Sequence, residues 1–251
     1  TATSNRAMIG GMAGNNSCGA TSIVHGTTRD HVLEIEAILS DGSEVQFGSM
    51  DDADFMKKTE EETLEGAVYR QLIEALQNPD NQTNIRRESP KPTTHRRNTG
   101  YAVDVLLDQR PFTLDGPDFN LCKLLTGSEG TLAFTTAVKL NGVPLPPPVP
   151  AVLCAHFASL NECMEATLLA MQHRPDQCEL VDKITLDCPR DNIEEAKNRF
   201  FVEGDPAAVL MVEFRRNTLD EAVSAAKNLI ESFQNAGMGY AFPIVTGRQT
   251  G

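Results

Sequence analysis

The sequence has no tryptophan and only three tyrosines among its 251 residues, so its aromatic content rests on eleven phenylalanines. These offer large interior groups that need no hydrogen-bond partner. Positive charge is also scarce: 22 Lys and Arg stand against 35 Asp and Glu, a formal net charge of −13. Nucleic acid is excluded as a general partner, because neutralising phosphates requires a basic face. Apolar runs are short, and none approaches the roughly 18 residues that span a bilayer. No basic segment followed by an apolar stretch marks a signal peptide. The six cysteines, at 18, 122, 154, 163, 178 and 188, form no Cys-x-x-Cys pair. Together with the histidines they give no zinc-like spacing, so no metal site is expected. They read as reduced thiols of a cytoplasmic protein, with peripheral membrane attachment left open. The five histidines, at 25, 31, 95, 156 and 173, never recur at i,i+3 or i,i+4. Gly-x-Ser-x-Gly, His-Glu-x-x-His and Walker loops are missing too, which removes the common hydrolase, zinc-protease and NTPase signatures.

Glycine, in contrast, is concentrated. Residues 10–19 read Gly-Gly-Met-Ala-Gly-Asn-Asn-Ser-Cys-Gly, with four glycines, two asparagines and a serine. Glycine loses the most backbone entropy on ordering, so the stretch is expected to be a loop rather than a helix. Such a loop is either an ordinary surface turn or a concavity whose amides meet an anion. Apolar alternation at Leu33, Ile35, Ala37 and Leu39, then Asp41-Gly42, then Val45 and Phe47, predicts an antiparallel hairpin with a two-residue turn. The glycine run therefore does not open a βαβ unit, and it lacks the Gly-x-Gly-x-x-Gly spacing.

Thr59 and Glu62 predict a helix start, and Leu64, Val68, Leu72 and Leu76 a helix over about 60–77 that stops at Asn78-Pro79. Residues 80–98 are polar and carry Arg86, Arg87, Lys91, His95, Arg96 and Arg97. They read as a solvated loop, or as a cationic approach to an anion. A short helix is expected over 100–107. Gly127-Ser-Glu-Gly130 precedes alternation at Leu132, Phe134, Thr136, Val138 and Leu140, a turn entering a strand. Five prolines in residues 143–150 make a stiff, extended boundary. Beyond it come a strand at 151–157, a helix capped by Ser159 with Cys163, Thr167 and Met171 on one face, and a strand at 177–181. A helical insertion is expected near 191–201, then a buried strand at 207–214. A helix capped by Thr218 and Glu221 buries Leu219, Ala222, Ala226, Leu229, Ile230 and Phe233, and a final strand spans 240–245. The order βαββαβ is the ferredoxin-like split. His156 lies in an apolar strand pattern, where a core role fits better than ligation.

Three blocks resemble a known family. Ile9 to Gly19 with His25-Gly26 and Asp30-His31-Val32 looks like the second FAD-contacting segment of vanillyl-alcohol-oxidase-type (PCMH-type) flavoproteins. Within these it is most similar to the D-lactate, glycolate and D-2-hydroxyglutarate dehydrogenase group. Asn98-Thr-Gly-Tyr101 and Gly127-Ser-Glu-Gly-Thr-Leu132 resemble the later motifs of that family, in the right order. After residue 150 the similarity rests on element order and on Glu179-Leu-Val-Asp182.

The resemblance implies an α+β protein: the second half of an antiparallel-sheet FAD-binding domain over 1–148, then a partial ferredoxin-like cap domain over 149–251. It places flavin contacts at Thr3, Ser4, Asn5, Met8, Gly10, Gly11, Asn15, Asn16, Ser17, Cys18, Gly19, His25, Gly26, Val32, Glu129, Gly130, Thr131, Leu132, Ala133 and Phe134. It implies oxidation of a small anionic D-2-hydroxy acid by hydride transfer to FAD, with the electron acceptor open and no catalytic base assignable. Long members carry iron–sulfur modules after the cap. The upstream phosphate loop and the His-rich substrate segment of the family do not occur in these residues. Both ends therefore read as cut from a longer protein, and the chain alone is expected neither to hold FAD nor to turn over substrate. An uncovered sheet edge then favours self-association. The competing reading is a non-catalytic module that holds a partner or an anionic metabolite through 86–97.

Overall fold

The computed structural model describes residues 5–91, 93, 94, 96, 97, 100–188 and 197–247, and the chain divides into two compact units, residues 1–143 and 144–251.

In the first unit three short helices come first: α1 (Ile9–Gly14), α2 (Ser22–His25) and α3 (Thr28–His31). The glycine-rich stretch is thus helical over its first five residues, against the loop expected from composition. Its propensity is overridden by tertiary hydrogen bonds to the Ala13 and Gly14 carbonyls and by burial of Ala13. Strand β1 (Val32–Ile38) pairs antiparallel with β2 (Glu44–Phe47), in register Ile35 to Phe47. The turn between them has three residues rather than two: Leu39 N–H donates to Ser43 O, and Gly42 takes φ +85°. This is the three-residue loop with glycine in the left-handed position. A two-residue strand β3 (Ser49–Met50) follows.

The single helix expected over 60–77 is instead two, α4 (Asp52–Glu60) and α5 (Leu64–Gln77). The cap is Thr63, which accepts from Gly66 N–H, and not Thr59, whose hydroxyl bonds Met56 O. The polar run that follows is not all loop, because α6 (Pro79–Glu88) is a helix. Pro79 occupies its first turn, where no amide is needed, and the Asn78 side chain accepts from Asp80 and Asn81 N–H. Then come α7 (Val103–Leu107), β4 (Phe119–Asn120, paired with β3), α8 (Cys122–Leu125) and β5 (Phe134–Leu140). Strand β5 pairs with the other edge of β1, giving the order β2-β1-β5. The core below joins Ile35, Phe47, Phe55, Tyr69, Leu106, Leu107 and Phe119. Phe55 meets Phe119 edge-on at 4.7 Å and Tyr69 at 5.3 Å. The alternation expected in β5 does not bury a face: Phe134 and Leu140 are exposed, as is Leu33 in β1.

The second unit is β6 (Val149–Phe157), α9 (Leu160–Gln172), β7 (Gln177–Asp182), α10 (Lys183–Asp187), β8 (Ala208–Arg216), α11 (Leu219–Asn235) and β9 (Ile244–Thr246). Its sheet order β7-β8-β6-β9, antiparallel throughout, is that of the ferredoxin-like split. Helix α11 starts on the expected capping box of Thr218 and Glu221, and buries Ala222, Ala226, Leu229 and Phe233. Leu219 is exposed. Helix α9 buries Cys163, Ala166 and Ala170 instead of the Thr167 and Met171 side, because the small residues allow closer approach to the sheet. His156 is wholly buried. Its Nε2 accepts from Glu203 N–H, so its Nδ1–H donates to Cys154 O at 2.9 Å. The expected helix near 191–201 falls largely on residues outside those described; a single 3-10 turn spans Lys197–Arg199.

Candidate functional site

The glycine-rich helix and the Gly127–Gly130 turn meet directly. Gly127 N–H donates to Ala13 O at 2.9 Å, and Glu129 N–H to Gly14 O at 2.8 Å. The turn holds three successive departures to the left-handed side among Gly127, Glu129 and Gly130, at φ +95°, +55° and +72°. Beside these bonds lies a recess of about 330 Å³ lined by Gly10, Gly11, Ala13, Gly14, Ile35, Leu125, Ser128, Glu129, Gly130, Ala133, Phe134 and Thr135. A Cβ built on Gly10, Gly11, Gly14 or Gly130 would meet no atom within 4 Å. The four missing side chains are therefore not required by packing; they leave the recess open to a ligand that approaches backbone. Phe134, 71% exposed, supplies an apolar wall.

A second recess, about 250 Å³, opens along Ser17, Cys18, Gly19, His25 and Gly26, with Met12, Thr28 and His31. His31 Nε2–H donates to His25 O at 2.6 Å, leaving its Nδ1 buried without a partner. Gly19 N–H is taken by Ser22 Oγ, and Ser17 Oγ by Asn15 Oδ1.

The expected contacts thus separate. Gly10, Gly11, Glu129, Gly130, Ala133 and Phe134 line the first recess, and Ser17 to Gly19, His25 and Gly26 the second. Asn5, Met8 and Asn15 are exposed and line neither recess, and Thr131 and Leu132 stand on the exposed strand entry. Two of the expected residues have side chains in the interior. Asn16 is 1% exposed and its Oδ1 accepts from Arg29 N–H, so its side chain serves the fold of the loop. Val32 lies in the hydrophobic core, where its side chain cannot reach a ligand. Thr3 and Ser4 lie outside the described residues. The third motif also reaches this region: Tyr101 Oη bonds Thr131 Oγ1 at 2.7 Å, while Asn98 and Thr99 are outside those described.

The cationic stretch is largely neutralised. Arg86 pairs with Asp108 at 3.0 Å, Arg87 with Glu88 at 2.7 Å, and Arg97 with Asp104. Arg96 Nε donates to Cys18 Sγ, and His95 lies outside the described residues. Among the described residues of the stretch, three of the five cations thus stand beside a carboxylate.

Sequence reasoning missed Arg29, which sits behind both glycine segments and is 7% exposed. Burial lowers its guanidinium from the usual arginine range. The available signal was slight: Thr27-x-x-Asp30 is a capping pattern, and the box does form, but nothing local marks an arginine as buried.

Residues 1–48 match the FAD binding domain family, and residues 146–249 match the C-terminal domain of FAD linked oxidases. A protein of Pseudomonas putida named D-2-hydroxyglutarate dehydrogenase is 29% identical over 238 residues, covering 93% of this chain and 22% of that protein. The Escherichia coli protein of the same name is 31% identical over 193 residues, covering 76% and 18%. Glycolate oxidase subunit GlcD of Escherichia coli is 38% identical over 82 residues, covering 32% and 16%. The chain spans only about a fifth of the length of the dehydrogenases it matches. With two domains of one family in sequence, each in its own compact unit, the chain belongs to the FAD-linked oxidases.

Proposed function

We propose that this chain supplies one wall of the flavin site of a longer FAD-dependent oxidoreductase acting on a D-2-hydroxy acid. The observation that supports it most is the open recess beside the Gly127–Ala13 and Glu129–Gly14 hydrogen bonds, bordered by four glycines whose Cβ positions are empty. Bound there, FAD would accept a hydride from the substrate C–H. The chain's own part is placement. Gly10, Gly11, Gly14 and Gly130 bring backbone close to the cofactor, while Phe134 and Ala133 cover it with apolar surface and keep water from that side. Ser17, Cys18, Gly19, His25 and Gly26 offer a second recess for the rest of the molecule. No side chain is assigned as base.

In this reading residues 1–148 are the later part of the flavin domain and 149–251 the beginning of the substrate-covering domain. The substrate class follows the relatives named for D-2-hydroxyglutarate and glycolate. Among the described residues no group of His, Cys, Asp and Glu is arranged to hold a metal, and iron–sulfur modules after the cap stay part of the proposal for the longer protein. No helix described is long and apolar enough to cross a membrane, and cytoplasmic residence, with or without peripheral contact, belongs to the same proposal.

The test is the absorbance spectrum of the protein expressed from the complete open reading frame. We expect a flavin band that bleaches on adding D-2-hydroxyglutarate, D-lactate or glycolate. A colourless protein that remains colourless after incubation with FAD and gel filtration overturns the reading.

A further inference from the structure

We propose that Arg29 is a positioning residue that holds the two glycine-rich segments in register across the recess. The proposal rests on the flavin reading above and names the part that sets the geometry of that site.

All but one of the hydrogen bonds that Arg29 donates go to one of these segments or to its immediate flank. Its backbone N–H is held at 2.8 Å by Asn16 Oδ1, just after α1. Asn16 itself takes φ +51°, a conformation that Asn tolerates better than most residues. The guanidinium then reaches the end of α8. Its Nε donates to Lys123 O at 2.8 Å and Thr126 O at 3.2 Å, and Nη2 donates to Thr126 O at 2.7 Å. Nη1 makes a long contact with Arg97 O at 3.5 Å. Lys123 returns the grip: its Nζ donates to Arg29 O at 2.7 Å. A buried and a half-buried cation are thus held against backbone carbonyls, and neither makes an ion pair among the described residues. A planar fork that addresses two carbonyls fixes orientation in a way a lysine ammonium does not.

What the fork fixes is the peptide between Thr126 and Gly127. With the Thr126 carbonyl turned toward Arg29, the Gly127 N–H faces Ala13 O, and the turn continues to the Glu129–Gly14 bond. Gly127 must be glycine for the same reason. At φ +95° a Cβ would stand 2.6 Å from Arg29 Nη2 and 3.3 Å from Asn16 Cβ. The glycine that lines no recess is there to admit the guanidinium, and the glycines that do line it are there to admit the ligand. A site of this kind tolerates little displacement of its walls.

The experiment uses the whole flavoprotein and measures flavin dissociation, the split of KM and kcat for the 2-hydroxy acid, and thermal stability. The variants are Arg29→Met, Arg29→Lys, Gly127→Ala and the pair Arg29→Met/Gly127→Ala. Leu76→Ala loosens the same core away from the recess and serves as the stability control. We expect Arg29→Met to weaken flavin binding by about tenfold or more, Arg29→Lys to recover part of that loss, and Leu76→Ala to lower the melting temperature while flavin affinity stays near wild type. The double variant should lose no more affinity than the worse single one, since both act on one contact. The proposal is overturned if Arg29→Met keeps wild-type flavin affinity, or if its affinity falls only in step with melting temperature as in Leu76→Ala. A wild-type protein without flavin overturns the flavin reading itself, and this proposal with it; flavin retained in wild type and in Arg29→Met overturns this proposal alone.

Discussion

At Gly130 the backbone holds φ +72° and a Cβ would project into the recess without touching protein. A β-branched residue there is strained by about 1–2 kcal/mol and occupies ligand space. In the whole protein Gly130→Val should therefore lose flavin while keeping its fold, read as the ratio of flavin to protein absorbance. Equal ratios in variant and wild type would remove Gly130 from the contact. The buried thiols make a second prediction at this scale. Burial pushes Cys122, Cys154 and Cys163 up to about 12, against about 8.5 for an unfolded thiol. The folded state keeps its protons where the unfolded state has lost them, so these groups contribute full stability below about pH 8.5 and progressively lose it as pH rises toward 12. The denaturant midpoint should fall between pH 8.5 and 11, and Cys→Ala at the three positions should flatten that slope. An unchanged slope would mean that these thiols do not govern it. In the native state Cys188, which is exposed, should react first with a thiol reagent.

Asn78 shows how elements are joined. It ends α5 and its side chain begins α6, accepting from Asp80 and Asn81 N–H at 2.9 and 3.2 Å. Pro79 forbids one continuous helix and at the same time favours the start of the next. Asn78→Ala should cost about 1 kcal/mol and reduce helical ellipticity, while Asn78→Asp should hold both near wild type. Equal stability of Asn78→Ala and wild type would show that α6 is carried by packing alone. Thr63, three residues past the end of α4, does the same for α5. Such caps are local in sequence, which is why the capping box of α11 could be read in advance. The Thr59 pattern was a false start: two capping-capable threonines stand four residues apart, and the choice between them was made by the packing of α4 against α5.

For the whole molecule, the first unit presents an open strand edge at β5, with Phe134 and Leu140 exposed. Edges of this kind pair with other chains unless covered. We expect the 251-residue chain to self-associate in a concentration-dependent way in sedimentation, and Phe134→Lys to reduce it; a chain that stays monomeric at high concentration counts against an exposed edge. Only one wall of the proposed flavin site is provided here, so calorimetric titration of FAD into the chain should show no single-site binding at micromolar affinity. Tight binding would show that these residues suffice by themselves. The second unit has its own core, centred on Leu153, Phe157, Leu210, Phe214, Leu229 and Phe233. Leu229→Ala should lower stability by about 2–5 kcal/mol and leave the flavin content of the whole protein unchanged.

The sequence by itself determined the β1–β2 hairpin, the caps of α9 and α11, the βαββαβ order and the two glycine segments. Each is written in residues within a turn or a strand of one another: alternation, a hydroxyl three residues before a carboxylate, a glycine where φ is positive. Only the tertiary structure decided that the first five residues of the glycine stretch are helical, that Asn16 turns inward, and that Val32 belongs to the core. It also decided which arginines are neutralised and that Arg29 is buried. These outcomes depend on hydrogen bonds such as Gly127 to Ala13 and Arg29 to Thr126. Their partners are joined only when the chain closes a long loop, and that closure leaves no periodicity in the residues themselves.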